Sequence, residues 1–320
     1  MCLKSRLAIE RPSHRAAYGR RDSCGKVQDG MMTMSMAATQ SKHLTILADD
    51  FGMSPDVNEG IVRAFVDGVL TDSDVLVCAP AAGEAFSLAA AHHIPIGLHL
   101  AFTCEWDLYR WGPLTNMTTM VDHRGHFKHL VDLAWAVVDY QEASLEADAQ
   151  LSCVVAHCRT VTHIGEHMGV DSNGLFQTLL HDKCTTNGIA HKGHWPGYAA
   201  CIGMPRPHFV SSLSTSGREF EYRRLKEWLR TRLRGLSAGH HLWVCHPGSN
   251  RARLDAMCSP EWPSRPWAGQ IRLADLELLL DPDVRRWCED LDIQLTPFSS
   301  VPVIVDDSPE TIMASVNSGN

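Results

Sequence analysis

Two adjacent aspartates, Asp49 and Asp50, follow directly on the apolar run His43–Ala48 and lead into Phe51-Gly52. Carboxylates at the end of a buried strand cost roughly several kcal/mol of desolvation unless a cation or hydrogen bonds compensate. The bland alternative is a solvated turn, for which Asp and Gly are ordinary residues. A second apolar run, Gly97-Leu98-His99-Leu100, is interrupted by a histidine. Taken alone, such a histidine is more often a satisfied core residue than a ligand. A third run carries His163 and His167. On a helix an i, i+4 pair shares one face, but on a strand the two lie about 13 Å apart and need not share an ion. His167, at the terminus, is the better ligand candidate and His163 the better structural one. A fourth run, His240–Cys245, ends in His246-Pro247-Gly248.

Each signal is weak alone, and the coincidence is not. Asp49, Asp50, His99, His167 and His246 all fall at or near the C-terminal ends of apolar runs. One carboxylate and two neutral imidazoles can hold a divalent ion and leave positions for water and substrate. A further carboxylate and a further histidine then remain to move protons. The donor set suits zinc, while oxygen ligands plus waters admit magnesium or manganese. Trp106, Tyr109 and Trp111 cluster in a long loop, Cys104 to Phe127, and could stack on substrate rings, although such clusters are more often core. Cys104 and Cys245 have no apparent base and read as packing.

The elements that must position these residues alternate in type. Strand-like runs are expected at 43–48, 73–78, 94–102, 161–168, 188–193, 240–245 and 293–297. Between them, helices are expected after Ser54-Pro55, at 81–92, 130–158, 174–187, 218–236 and 273–290. About seven strands separated by helices predict a parallel sheet in a distorted, TIM-like (β/α) barrel. Active sites of such barrels are built on the rim at the strands' C-terminal ends.

The remaining features set bounds. The chain has 320 residues, 44% hydrophobic and 21% charged, enough for one large α/β domain. A formal charge of −8 gives no bulk attraction for nucleic acid or anionic membrane, and no apolar stretch is long enough to span a bilayer. Eleven cysteines without a CxxC pair, and no signal-peptide pattern, read as reduced thiols in a cytoplasmic protein. Residues 1–42 are basic, acid-poor and aperiodic, which reads as a disordered or mis-started extension, with a targeting leader as the alternative. One domain is expected over 43–305 and a flexible tail over 306–320. A homodimer is compatible with the sequence.

At these residues the sequence resembles the YdjC-like (ChbG/HpnK) carbohydrate deacetylase family. Ala48-Asp49-Asp50-Phe51-Gly52, then Asn58 and Gly60-Ile61, are similar to its ADDFG opening. Gly97–Leu100, Thr162–His167 and His246-Pro247-Gly248 are similar to its later elements, and Glu146 and Gln150 to a Glu and Gln of the helix before the third element. The resemblance runs from about Leu44 to Ser300. It implies a distorted (β/α) barrel and metal-dependent removal of acetyl from N-acetylated sugars. It further implies Asp50, His99 and His167 as ligands of one divalent ion (Mg2+ or Zn2+), Asp49 as general base and His246 as proton donor. One position departs: Gly165 stands where the family has an aspartate, and Gly169 where a further histidine is frequent. Loss of a supporting carboxylate can cost 10- to 100-fold in affinity or activity. Glu166 could substitute as a substrate contact, although strand alternation points it the other way. The departure opens the alternative of a catalytically impaired homologue that still binds metal and sugar.

Overall fold

The computed structural model describes residues 41–129, 138–172, 174–192, 198–202, 217–263 and 265–300. The expected extension, apart from its last two residues, and the expected tail lie outside the described residues. Within the compact unit Thr39–Asn320, β1 (Lys42–Phe51) is followed by α1 (Pro55–Val66), β2 (Asp72–Val75), α2 (Ala82–His92) and β3 (Ile96–Leu100). Next among the described elements come α3 (Tyr140–His157) and β4 (His163–Glu166), a 3-10 turn at His167–Ser172, α4 (Gly174–Asn187) and β5 (Ala190–His191). The second half holds β6 (Tyr198–Ile202), α5 (Gly217–Arg234), β7 (Gly239–Cys245), α6 (Arg251–Asp255), α7 (Arg265–Ala268), α8 (Gln270–Leu280), α9 (Pro282–Asp290) and β8 (Ile293–Leu295).

All strand pairings are parallel, in the order β5-β4-β3-β2-β1-β7-β6, with β8 also on β1. The result is a curled, open sheet flanked by helices, a distorted TIM-like barrel. β1 is its centre. Residues 42–48 pair with β7, while the other edge is shared between β8 at Lys42–Leu44 and β2 from Leu47 onward. Burial on both faces explains why β1 reads as a continuous apolar run rather than an alternating one. Leu44, Ile46, Phe51, Ile61, Leu98 and Trp243 belong to the core beside it.

Local chemistry sets the element ends. Ser54 accepts from the Val57 N–H with Pro55 behind it, so α1 starts where a cap and proline place it. The helix expected over 130–158 begins at Tyr140, where Asp139 caps the Gln141 and Glu142 N–H groups; residues 130–137 lie outside the described residues. The single helix expected over 273–290 is two, because Asp281 ends α8 and caps α9 and Pro282 cannot continue the first. Strand β6 and the short helices α6 and α7 were not apparent in the sequence pattern.

Candidate metal centre

The site begins with a break in β1. In an unbroken strand, neighbouring side chains point to opposite faces. Asp50 instead adopts a left-handed backbone, φ 72°, and the register against β2 shifts between Ala48 and Phe51. Both carboxylates therefore approach His99: its Nε2 lies 3.2 Å from Asp50 Oδ1 and 3.8 Å from Asp49 Oδ2. The turn is held by Asn58, which accepts from the Gly52 N–H and donates to the Ala81 carbonyl and Glu84. Aspartate tolerates this backbone better than most residues, and such strain gathers at functional sites.

Three acceptor atoms then converge from β1, β3 and the turn after β4. Asp50 Oδ1, His99 Nε2 and His167 Nδ1 form a triangle with every side 3.2 Å. The other edge of each group is already taken. Arg272 Nη2 donates to Asp50 Oδ2 at 2.6 Å, His99 Nδ1 donates to Asp74 at 3.0 Å, and His167 Nε2 donates to Glu105 at 2.8 Å. Carboxylate-backed imidazoles are the usual second layer of a metal site, because they fix the tautomer and the ring. Asp50 Oδ1 is left as a buried acceptor without a hydrogen bond. Donors bonded to one ion at about 2.0–2.2 Å lie on the order of 3 Å apart, so these residues fit a divalent ion.

Without an ion, protons compete for the same lone pairs. Burial opposes charge on His99, but Asp74 and then Asp49 hold its pKa well above the ordinary value. His167 is likewise pushed up to about 9, burial being outweighed by Glu105 and Asp50. Burial would raise the Asp50 pKa, yet Arg272 and the two imidazoles hold it well below the ordinary value.

A second ligand group, Asp49, Asp74 and His99, adjoins the first. Here a cation of the chain itself is present. Lys192 Nζ donates to Asp49 Oδ2 at 2.8 Å and lies 3.5 Å from Asp74 Oδ2. Burial would strip its proton, but Asp49 and Asp74 hold its pKa above the ordinary lysine value.

His246 lies on the outer side, its Nε2 3.8 Å from Asp49 Oδ2 and its side chain 25% exposed. The close approach of Gly60 to Gly248 seats this turn: a Cβ on Gly60 would stand 2.8 Å from Gly248 Cα. Asp275 accepts from the His246 backbone N–H at 2.7 Å and lies 4.0 Å from ring Nδ1. Burial pushes the Asp275 carboxyl up to about 7. Burial also lowers the His246 pKa, with Asp49 and Asp50 opposing.

Other expected residues are placed differently. Trp106 is fully buried and Trp111 2% exposed, its indole donating to the Thr103 carbonyl, so neither offers an open ring face to a sugar. Tyr109 is half-buried and donates to the Met53 carbonyl. Among the described residues, Trp267 lies edge-on to His246 at 5.6 Å, while Trp262 donates its indole N–H to the Glu105 carbonyl and packs on His129. Glu166 is half-buried, 3.7 Å from His191, and outside both ligand groups. His163 stacks on Phe298 and lies 3.7 Å from Asp74, a packed residue rather than a member of either group. Gln150 clamps both polar groups of Ala101, just past β3, and Glu146 accepts from Leu114 and Thr115, fixing the long loop that carries Glu105.

Sequence reading missed Asp74, Glu105, Lys192, Arg272 and Asp275. Only Asp74 left a signal, as a charged residue beside Asp72 in a strand that must be buried.

A model of the YdjC-like protein family matches residues 43–290. A carbohydrate deacetylase from Vibrio vulnificus is 33% identical over 144 residues, 43% of this chain and 54% of the relative; the chain thus spans about half the length of that relative. A carbohydrate deacetylase from Mus musculus is 28% identical over 292 residues, 79% of this chain and 92% of the relative. An Enterococcus faecalis crystal structure, provisionally assigned to cellobiose-phosphate cleavage, shares the fold. Its TM-score is 0.63 at 22% identity, over 81% of this chain and 98% of that one.

Proposed function

The chain belongs to the YdjC-like family, and from that premise we propose that it is a metal-dependent hydrolase removing acetyl groups from N-acetylated sugars or oligosaccharides. The observation that carries the reading is the triangle of Asp50 Oδ1, His99 Nε2 and His167 Nδ1, three acceptors 3.2 Å apart with their remaining edges engaged. When bound there, a divalent ion, zinc or magnesium, supplies Lewis-acid polarisation of an amide carbonyl and a water of lowered pKa. Asp49 then serves as general base. Its Oδ2 is engaged by Lys192, while its Oδ1 is a buried acceptor without a partner. His246, on the open side, protonates the leaving amine, and Asp275 steadies its backbone. The names of the Vibrio and mouse relatives support a carbohydrate amide as substrate. The half-buried Trp267 ring, edge-on to His246, is suited to stack on a sugar face there.

The test is acetate release from N-acetylated di- and oligosaccharides by protein stripped with chelator and reloaded with zinc or magnesium. Activity that vanishes on stripping and returns on reloading is expected. Tight, metal-dependent sugar binding without acetate release would instead support the impaired homologue that Gly165 suggests.

A further inference from the structure

We infer that Lys192 is a positioning residue of this centre, its ammonium holding Asp49 in a space that exists because residue 165 has no side chain. The inference rests on the reading of Asp49 as general base.

Three observations carry it. First, the Lys192 N–H donates to the Ile164 carbonyl at 2.8 Å, so the residue leaves β5 alongside β4. A Cβ on Gly165 would stand 2.8 Å from Lys192 Cε, 2.9 Å from Cδ and 3.0 Å from Asp74 Oδ2. Any side chain at 165 thus contends with the lysine stem for one space. Second, Lys192 is only 7% exposed, a burial lysine almost never has unless paired, and its pair is Asp49 with Asp74 beyond. Third, the two neighbouring aspartates are treated alike. Arg272 holds Oδ2 of Asp50 and Lys192 holds Oδ2 of Asp49, leaving each Oδ1 a buried acceptor without a hydrogen bond. One oxygen of each carboxylate is thus anchored by a cation of the chain itself. Gly165 is therefore the opening through which a substitute support enters, rather than a simple loss.

The experiment uses the full chain with Lys192→Ala and Gly165→Ala, singly and together. Thermal midpoint, metal per chain, and kcat and KM for acetate release are measured. Lys192→Ala should keep its metal and its KM while kcat falls on the order of 10- to 100-fold. Ethylammonium should restore part of that kcat and ethanol should not. Gly165→Ala should lower the thermal midpoint more when Lys192 is present than when it is absent, where only the contact with Asp74 Oδ2 remains, because the two sites are coupled. Lys192→Met, which keeps the stem and drops the charge, replaces alanine if that variant fails to fold. An unchanged kcat, or equal rescue by ethanol, would mean that the lysine only fills space. An equal thermal loss in both backgrounds would overturn the part assigned to Gly165. A wild-type chain releasing no acetate would overturn the base assignment beneath the inference, while the thermal cycle would still decide whether Gly165 admits Lys192.

Discussion

The two sides of the rim are built to different tolerances. On the β1, β3 and β4 side, Asp50, His99 and His167 are at most 3% exposed, and each is backed by a hydrogen bond of 3.0 Å or less to Arg272, Asp74 or Glu105. On the β7 side, His246 is a quarter exposed and its ring nitrogens stand 3.8 and 4.0 Å from Asp49 and Asp275. On the proposed function, the difference is a division of labour. Groups that grip a cation gain from being fixed in advance, since no reorganisation is then needed on binding. A group that must meet a substrate and pass it a proton needs an open face, and in a chain without substrate its hydrogen bonds are ordinarily long.

Substitutions can break or sharpen this contrast. The largest effect is expected on the closed side: Asp50→Ala and His99→Ala should each abolish stoichiometric metal by mass spectrometry, and acetate release with it. Asp50→Ala should also destabilise the fold, because it leaves the buried Arg272 guanidinium uncompensated. On the open side, His246→Ala should keep one metal per chain while kcat falls on the order of 10²- to 10⁴-fold. Equal metal loss in both sets would erase the distinction. A smaller effect is expected from Asp74→Asn, which weakens the support of His99 without removing a ligand: metal affinity, read by competition with a chelating dye, should fall about 10- to 100-fold.

The smallest effect lies away from the metal. Burial raises the Asp72 carboxyl from 3.8 to about 7, against hydrogen bonds from Thr71 and the Phe298 N–H. Between those values the folded chain keeps a proton that the unfolded chain has released, so stability falls as pH rises through that window. Asp72→Asn should therefore raise the thermal midpoint at pH 8 and change it little at pH 4. A shift of equal size at both pH values would place the effect in packing instead of charge.

The sequence made legible what lies at strand ends. Asp49, Asp50, His99, His167 and His246 interrupt or terminate apolar runs, and a parallel sheet brings such positions to one rim whatever the intervening loops do. Apart from Asp74, their partners were not legible, because each arrives from an element whose register only the fold defines. Glu105 sits in an irregular loop, Arg272 and Asp275 on the first turns of a helix that reads as one with its successor, and Lys192 after a two-residue strand. The core reading of the loop aromatics was the sounder one: the loop folds back and buries Trp106 and Trp111. The strain at Asp50 was equally hidden, since nothing in an Asp-Asp pair announces that both side chains will face one point.

The most direct test is a crystal grown with zinc and measured at the zinc absorption edge. A single anomalous peak bonded at about 2.0–2.2 Å to Asp50 Oδ1, His99 Nε2 and His167 Nδ1 is the result expected. A peak held by a different set of residues, or none at saturating zinc, would contradict the account.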